Sequence, residues 1–394
     1  MLKYVHHYDN QLAATLVWVD GEDNPWRKVI LPLAFNEPSL LFSVLALAAE
    51  HLSKRAPDDS LLQISRQADA GKFRDMSLKL LARHLKHEMQ GQHSGQHSGQ
   101  QLQKTSQNLD KAGSAKSILA TMLMLCQLEM VHSESMAWKI HLQASHTMIQ
   151  RWLLTPSRLD MSDSDSRFLI KETFTINVFA ATSSFSDDEE ALAFEDADDH
   201  TLFSGFMTVI HDITRTERKI AAKTINFAPD LPLLERRLEE ARLSTRQLAA
   251  NYEKLREKGT RLDFDRVVDI FHHAGVIYAY QALAMPETAR RGKAPHFDSL
   301  LKILHLLPAS GLFAQDLAWP LFIASTECRE REHERQWLQQ KMEDSADATG
   351  FASCHEAWDF LQKWWDSEED ARYYVSWIGF ARARAARGHT FLVI

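Results

Sequence analysis

Apolar residues in this chain recur every three to four positions almost from end to end, and convincing alternation at a period of two is absent. That pattern restricts the fold more than any other feature. A segment with apolar residues at i, i+3, i+4 and i+7 can bury one stripe only as a helix, so the chain must build its core from helix-on-helix packing. Leu40, Leu41, Val44, Leu45, Ala48 and Leu52 form one such stripe after Pro38, with Asn36 as its expected cap. Further stripes predict helices over 68–89, 138–154, 168–185, 202–220 and 231–255, and then over 267–285, 297–306, 315–324, 332–342 and 351–365. The segment from Ile118 to Val131 is apolar almost all round, which marks a buried central helix. The fold class is therefore all-α, a single large helical domain of about a dozen helices.

Composition agrees where it bears on the question. Glycine numbers 14 and proline 11 in 394 residues, scarce for a sheet-rich fold or one with phosphate-cradling loops. The net charge is −8, opposite to that of most free-standing nucleic-acid binders. Between Asp187 and Asp199 lie eight acids and no lysine or arginine, and without them acidic and basic residues balance. The three cysteines, Cys126, Cys328 and Cys354, stand far apart, with no disulfide framework and no zinc-cluster spacing. The N-terminal residues lack the apolar core of a signal peptide, and no apolar run approaches the ~18–20 residues of a membrane span. A soluble intracellular protein, nuclear or cytoplasmic, with no membrane partner is the expectation.

Two segments interrupt the helices. The stretch 91–107 holds a tandem Gln-His-Ser-Gly repeat with almost no apolar residue, and the stretch 186–200 holds the acidic strip. Both are expected to be mobile insertions, because neither can bury enough apolar surface to offset the entropy of ordering. His93 and His97 have the four-residue spacing of helical metal ligands, but Ser94 and Gly95 between them argue against a helix. The acids at 187–190 and 195–199 are loosely like the aspartate-rich magnesium motif of terpene cyclases, without the matching downstream motif. Signatures for phosphate-binding loops, the zinc-binding HExxH and the GxSxG nucleophile elbow are missing. No metal site and no cofactor is assigned.

Polar residues on apolar faces are the better pointers. Glu129 ends the most apolar helix, Trp138 and His141 open the next, and His272 and His273 interrupt the apolar face leading to Tyr278. The helices 118–131, 138–154 and 267–285 are expected to meet in the middle of the fold. Glu129, Trp138, His141, His272 and Tyr278 are therefore the candidate ligand-binding residues; the competing reading is that they pair with one another and close the core. Glu327, after the apolar run from Trp319 to Ala324, belongs to the same class.

Five phrases, in order, carry a resemblance that spans essentially the whole chain. They are Tyr4-Val-His-His-Tyr8 with Asn24 to Ala34, then Glu37-Pro-Ser-Leu-Leu to Leu52, then Ile118 to Leu125. Trp138-Lys-Ile-His-Leu-Gln-Ala144 follows, then Ala274-Gly-Val-Ile-Tyr278 with Trp319 to Glu327. Together they resemble the fungal-specific transcription factor domain, the regulatory region that follows the zinc binuclear cluster in fungal regulators. Gln143 and Ser325 stand where that family often has glycine, and no six-cysteine cluster lies within this chain. Its DNA-reading module is expected either to lie outside this chain or to be missing from the natural protein, and the chain alone is expected to bind no specific DNA sequence.

What the resemblance implies is an all-helical domain that represses, activates or dimerises a regulator, sometimes in secondary metabolism. Its expected partners are an apolar small-molecule effector, a second copy of the chain, or a protein of the transcription machinery. Two alternatives come from other classes. One is a biosynthetic enzyme of proton-transfer, isomerase or cyclase type on the same scaffold, with catalytic residues unknown. The other is an assembly scaffold, since a few relatives serve in chromosome-attachment complexes.

Overall fold

In a computed structural model of the chain, every regular element among the described residues is a helix, and the all-α class stands as read from the sequence. The structure describes residues 1–90, 101–132, 137–154, 158–185, 201–225, 229–308, 311–351, 354–367 and 376–393. The chain gathers into two compact units, Met1–Phe174 with Gly350–Ala352, and Thr175–Thr349 with Ser353–Ile394.

The first unit opens with short helices. These are α1 (Leu2–His7), a π-helical turn Tyr8–Leu12, α2 (Ala13–Thr15), α3 (Pro25–Lys28) and α4 (Ile30–Asn36). The buried Tyr8 hydroxyl donates to the Trp26 carbonyl at 3.1 Å, and Trp26 meets Phe168 edge-on at 5.3 Å, so these turns are pinned by aromatic burial. Next come α5 (Pro38–Lys54), α6 (Leu61–Gln90), α7 (Gln101–Val131), α8 (Trp138–Leu153) and α9 (Ser164–Ser183). The helix α5 packs on both α6 and α7, and α7 also packs on α8. Every residue from Ser117 to Val131 is buried, which makes α7 the central helix that its all-round apolar sequence predicts. Gly113–Val131 has the length and hydropathy of a membrane span, and 89% of it is buried inside the fold. Serines hold the seams between these helices. Ser39 and Thr121 hydroxyls lie 3.3 Å apart, and Ser77 donates to the Ser39 carbonyl at 2.8 Å.

The second unit begins within α9 and continues through α10 (Ser204–Ala221), α11 (Leu231–Leu248), α12 (Lys258–Leu283) and α13 (Pro286–Leu306). It ends with α14 (Ala318–Thr326), α15 (Glu332–Thr349), α16 (Cys354–Trp365) and α17 (Trp377–Ala385). The long α12 is its axis: α10, α11, α13 and α14 all pack against it. Phe271 on α12 is 1% exposed and meets Phe203 at 5.0 Å, Trp319 at 6.0 Å and Phe206 at 6.1 Å. A second aromatic cluster joins Phe322, Phe360, Trp377 and Phe391.

Several boundaries differ from the sequence reading, each for a local reason. The cap of α5 is Glu37, not Asn36. The Glu37 carboxylate accepts from the Ser39 amide and hydroxyl with Pro38 at the first helical position, while the Asn36 side chain donates back to the Pro32 carbonyl. The helix α6 starts at Leu61, where the Ser60 hydroxyl accepts from the Gln63 amide. The helix α11 stops at Leu248 rather than running to 255; two 3₁₀ turns follow and bury Ala249 and Leu255. The helix α13 begins at Pro286 and continues through Pro295, well before the expected start at 297. Residues 101–107, assigned to a mobile insertion, form the first two turns of α7. Residues 91–100, with His93 and His97, and the acidic strip 186–200 lie outside the described residues.

Candidate functional site

The candidate residues divide between the units. Glu129, Trp138 and His141 belong to the first, His272 and Tyr278 to the second.

In the first unit, the apolar length of α7 carries Glu129 into the interior, and the carboxylate is 1% exposed. Its counter-charge is Arg74 on α6, which sequence reasoning did not single out. Arg74 Nε and Nη2 approach Glu129 Oε1 at 2.7 and 2.6 Å. His141 Nε2 stands 4.0 Å from the same oxygen. Burial holds the His141 imidazole below its usual range, and the Glu129 charge only partly opposes this. One turn before Glu129, Cys126 directs its sulfhydryl to the Trp138 carbonyl at 3.8 Å; burial, with the Glu129 charge, pushes the thiol up to about 12. Trp138 is buried where α8 opens. The arrangement is a neutralised buried carboxylate with a neutral histidine beside it, and it ties α6, α7 and α8 together.

In the second unit, the Tyr278 hydroxyl lies 2.8 Å from Thr214 Oγ1 on α10, and burial pushes its pKa well above the ordinary tyrosine range. Glu217, one turn beyond Thr214, pairs with Arg382 of α17. Gln281 donates to Thr326 Oγ1 at 2.7 Å and to Glu327 Oε1 at 2.5 Å, and accepts from Trp377 Nε1 at 2.8 Å. Lys293 completes this network at 2.7 Å from Glu327, the acid flagged from sequence. These networks satisfy polar groups that burial would otherwise leave costly.

His272 faces the other side of α12 and shares none of these partners. Its Nδ1 lies 3.7 Å from Glu239 Oε2 on α11. The adjacent His273 faces α13, where its Nδ1 lies 3.0 Å from Nδ1 of His296. One ligand atom from each of His272, His273 and His296 falls within 4.8 Å of the other two. The three rings also touch, with centroids 5.1 to 5.9 Å apart. Burial lowers the basicity of all three. His273 is pushed down to about 3, first by burial and then by its two histidine neighbours and Arg242. Among the described residues, this is the cluster whose donor set suits a metal ion.

Two close helix approaches build it. A β-carbon on Gly275 would stand 2.9 Å from Leu238, and one on Gly292 would stand 2.1 Å from the Tyr280 ring. The first brings α11 against α12 beside Glu239 and His272. The second brings α13 against α12, and His296 lies one turn after Gly292 on the same face. Sequence reading found His272 and noted His273 but missed His296, Glu239 and Arg74. The readable signal was the pair of helical glycines, and it becomes informative only once the helix pairing is known.

A model of the fungal specific transcription factor domain matches residues 3–394 of the chain. No curated protein and no solved structure matches it.

Proposed function

The chain belongs to the fungal specific transcription factor domain family, and from that premise we propose that it is the effector-sensing, regulatory region of a fungal transcription regulator that acts in the nucleus. The observation that carries this reading is the match over residues 3–394, essentially the whole chain. Regulation works here through binding between helices, of an apolar small molecule, a second copy of the chain or a protein of the transcription machinery. Such a partner shifts the domain only by its differential affinity for two states. The helices that carry buried polar groups, α7 and α8 in the first unit and α12 in the second, are the places where a ligand's polar end would find a match. DNA contact falls to a separate module, because the chain outside its acidic strip is balanced in charge and neutralises few phosphates.

The test tethers the chain to a heterologous DNA-binding domain in a yeast reporter strain, alongside native mass spectrometry of the purified protein. The expected result is reporter output above or below that of the DNA-binding domain alone, with a co-purified small molecule or a dimer in the mass spectrum. Output equal to the control, from a folded monomer without ligand or partner, overturns the reading. So does sequence-specific binding of duplex DNA by the chain alone at physiological salt.

A further inference from the structure

We propose that His272, His273 and His296 form a binding site for one divalent transition-metal ion of the zinc class, with Glu239 at its open side.

The distances favour it. Zinc holds imidazole nitrogens at about 2.0–2.1 Å in tetrahedral geometry, so neighbouring ligand nitrogens in such a site stand ~3.3 Å apart. His273 Nδ1 and His296 Nδ1 already lie 3.0 Å from each other, and the third histidine offers a nitrogen within 4.8 Å of both. Two Nδ1 atoms at that distance need one shared hydrogen, whereas a cation takes both lone pairs at once with the hydrogens on Nε2. His272 Nδ1 is buried and makes no hydrogen bond, with Glu239 Oε2 3.7 Å away.

The scaffold and the charges favour it too. The site stands on three helices of eighteen residues or more, and close contacts at Gly275 and Gly292 set their register. The charged and titratable groups around it are Glu239 and Arg242 on α11, Glu235 one turn before Glu239 on that helix, and Tyr280, whose hydroxyl donates to Glu235 at 2.6 Å. Arg242 is engaged by Glu239 and Asp269 at 2.9 and 2.7 Å, so its charge is already offset. Imidazole ligands must be neutral to bind, and burial lowers the basicity of all three, in the direction that favours the neutral form. The Glu239 side chain is 40% exposed, which leaves the site open to solvent and an ion free to enter. Borderline-soft imidazole nitrogens select zinc, copper or nickel over magnesium or calcium. A bound ion would tie α12 to α13.

The experiment titrates zinc chloride into the chelator-treated full chain by calorimetry and repeats the titration with His273→Asn and His296→Asn. The expected result is one zinc per chain at micromolar affinity or tighter, weakened at least tenfold in each variant while far-ultraviolet circular dichroism is unchanged. The chain has 19 histidines, so equal zinc binding by the wild type and both folded variants places the ion elsewhere and overturns the proposal. Absence of binding in the wild type overturns it equally. If either variant fails to fold, X-ray absorption on the zinc-loaded wild type decides: three imidazole nitrogens at about 2.0 Å support the site, and fewer than three refute it.

Discussion

A β-carbon on Gly292 would stand 2.1 Å from Cε1 of Tyr280, so α13 lies against the α12 ring at a distance that no side chain at 292 permits while that ring stays in place. The ring is held where it is by its hydroxyl's bond to Glu235 at 2.6 Å. Gly292→Ala gains up to ~1 kcal/mol of helix propensity, and the clash costs ~1–3 kcal/mol. The net effect is a lower melting temperature. In a Tyr280→Ala background the clash is gone, and the same substitution becomes stabilising. Thermal denaturation of the four proteins checks the change of sign; an equal effect of Gly292→Ala in both backgrounds sinks the argument.

Arg74 supplies the counter-charge for a Glu129 carboxylate that is 1% exposed. Arg74→Met strands that charge in the interior and destabilises the protein by about 2–3 kcal/mol. Replacing both residues, with Arg74→Met and Glu129→Met, removes the stranded charge and costs less than Arg74→Met alone. Urea denaturation of the single and double variants measures the difference. A double variant less stable than Arg74→Met would show that the pair's value lies elsewhere.

His7 sits 2.8 Å from His51 in the first unit, and burial, followed by Arg55, Arg66 and His6, pushes it down to about 4. An unfolded histidine titrates near ~6.5. Above that pH the residue is neutral in both states and adds no pH dependence. Between about 6.5 and 4 the unfolded chain takes a proton that the folded chain refuses, so stability falls as pH falls, by at most about 1.4 kcal/mol per pH unit for this group. His7→Asn removes one proton from that linkage. The slope of stability against pH between 6.5 and 4 should be shallower in the variant and unchanged above 7. Parallel curves would contradict the assignment.

Phe271 fills the centre of the second unit among Phe203, Phe206 and Trp319. Phe271→Ala removes a buried ring from this aromatic cluster and leaves a cavity, at about 3–5 kcal/mol. Leu243→Ala, on the exposed side of α11 and 56% exposed, should change stability by less than about 0.5 kcal/mol. Denaturant midpoints compare them, and similar losses for the two would place the core elsewhere.

Much of this fold is legible in the sequence, because helical periodicity is a local property. The stripe from Leu40 to Leu52 and the all-round apolar segment from Ile118 to Val131 specify helices without reference to the rest of the chain, and burial of the second follows from its lack of a polar face. Helix ends were less legible. Glu37 displaced Asn36 as a cap, and α13 runs through Pro295, because an end depends on which of several nearby side chains reaches the free backbone groups.

The sequence by itself determined the all-helical class, the central place of α7 and the family resemblance that runs through ordered phrases from Tyr4 to Glu327. Only the tertiary structure decided which polar residues meet. His272 and Tyr278 lie six positions apart on one helix, yet one faces Glu239 and the histidine cluster and the other faces Thr214. Glu129 found Arg74 from a helix 55 residues away, and His273 found His296. Those pairings depend on the register between helices, which is set where backbones approach closely, at Gly275 against Leu238 and Gly292 against Tyr280. Periodicity along one helix places a residue on a face, but only the packed neighbour determines what that face meets.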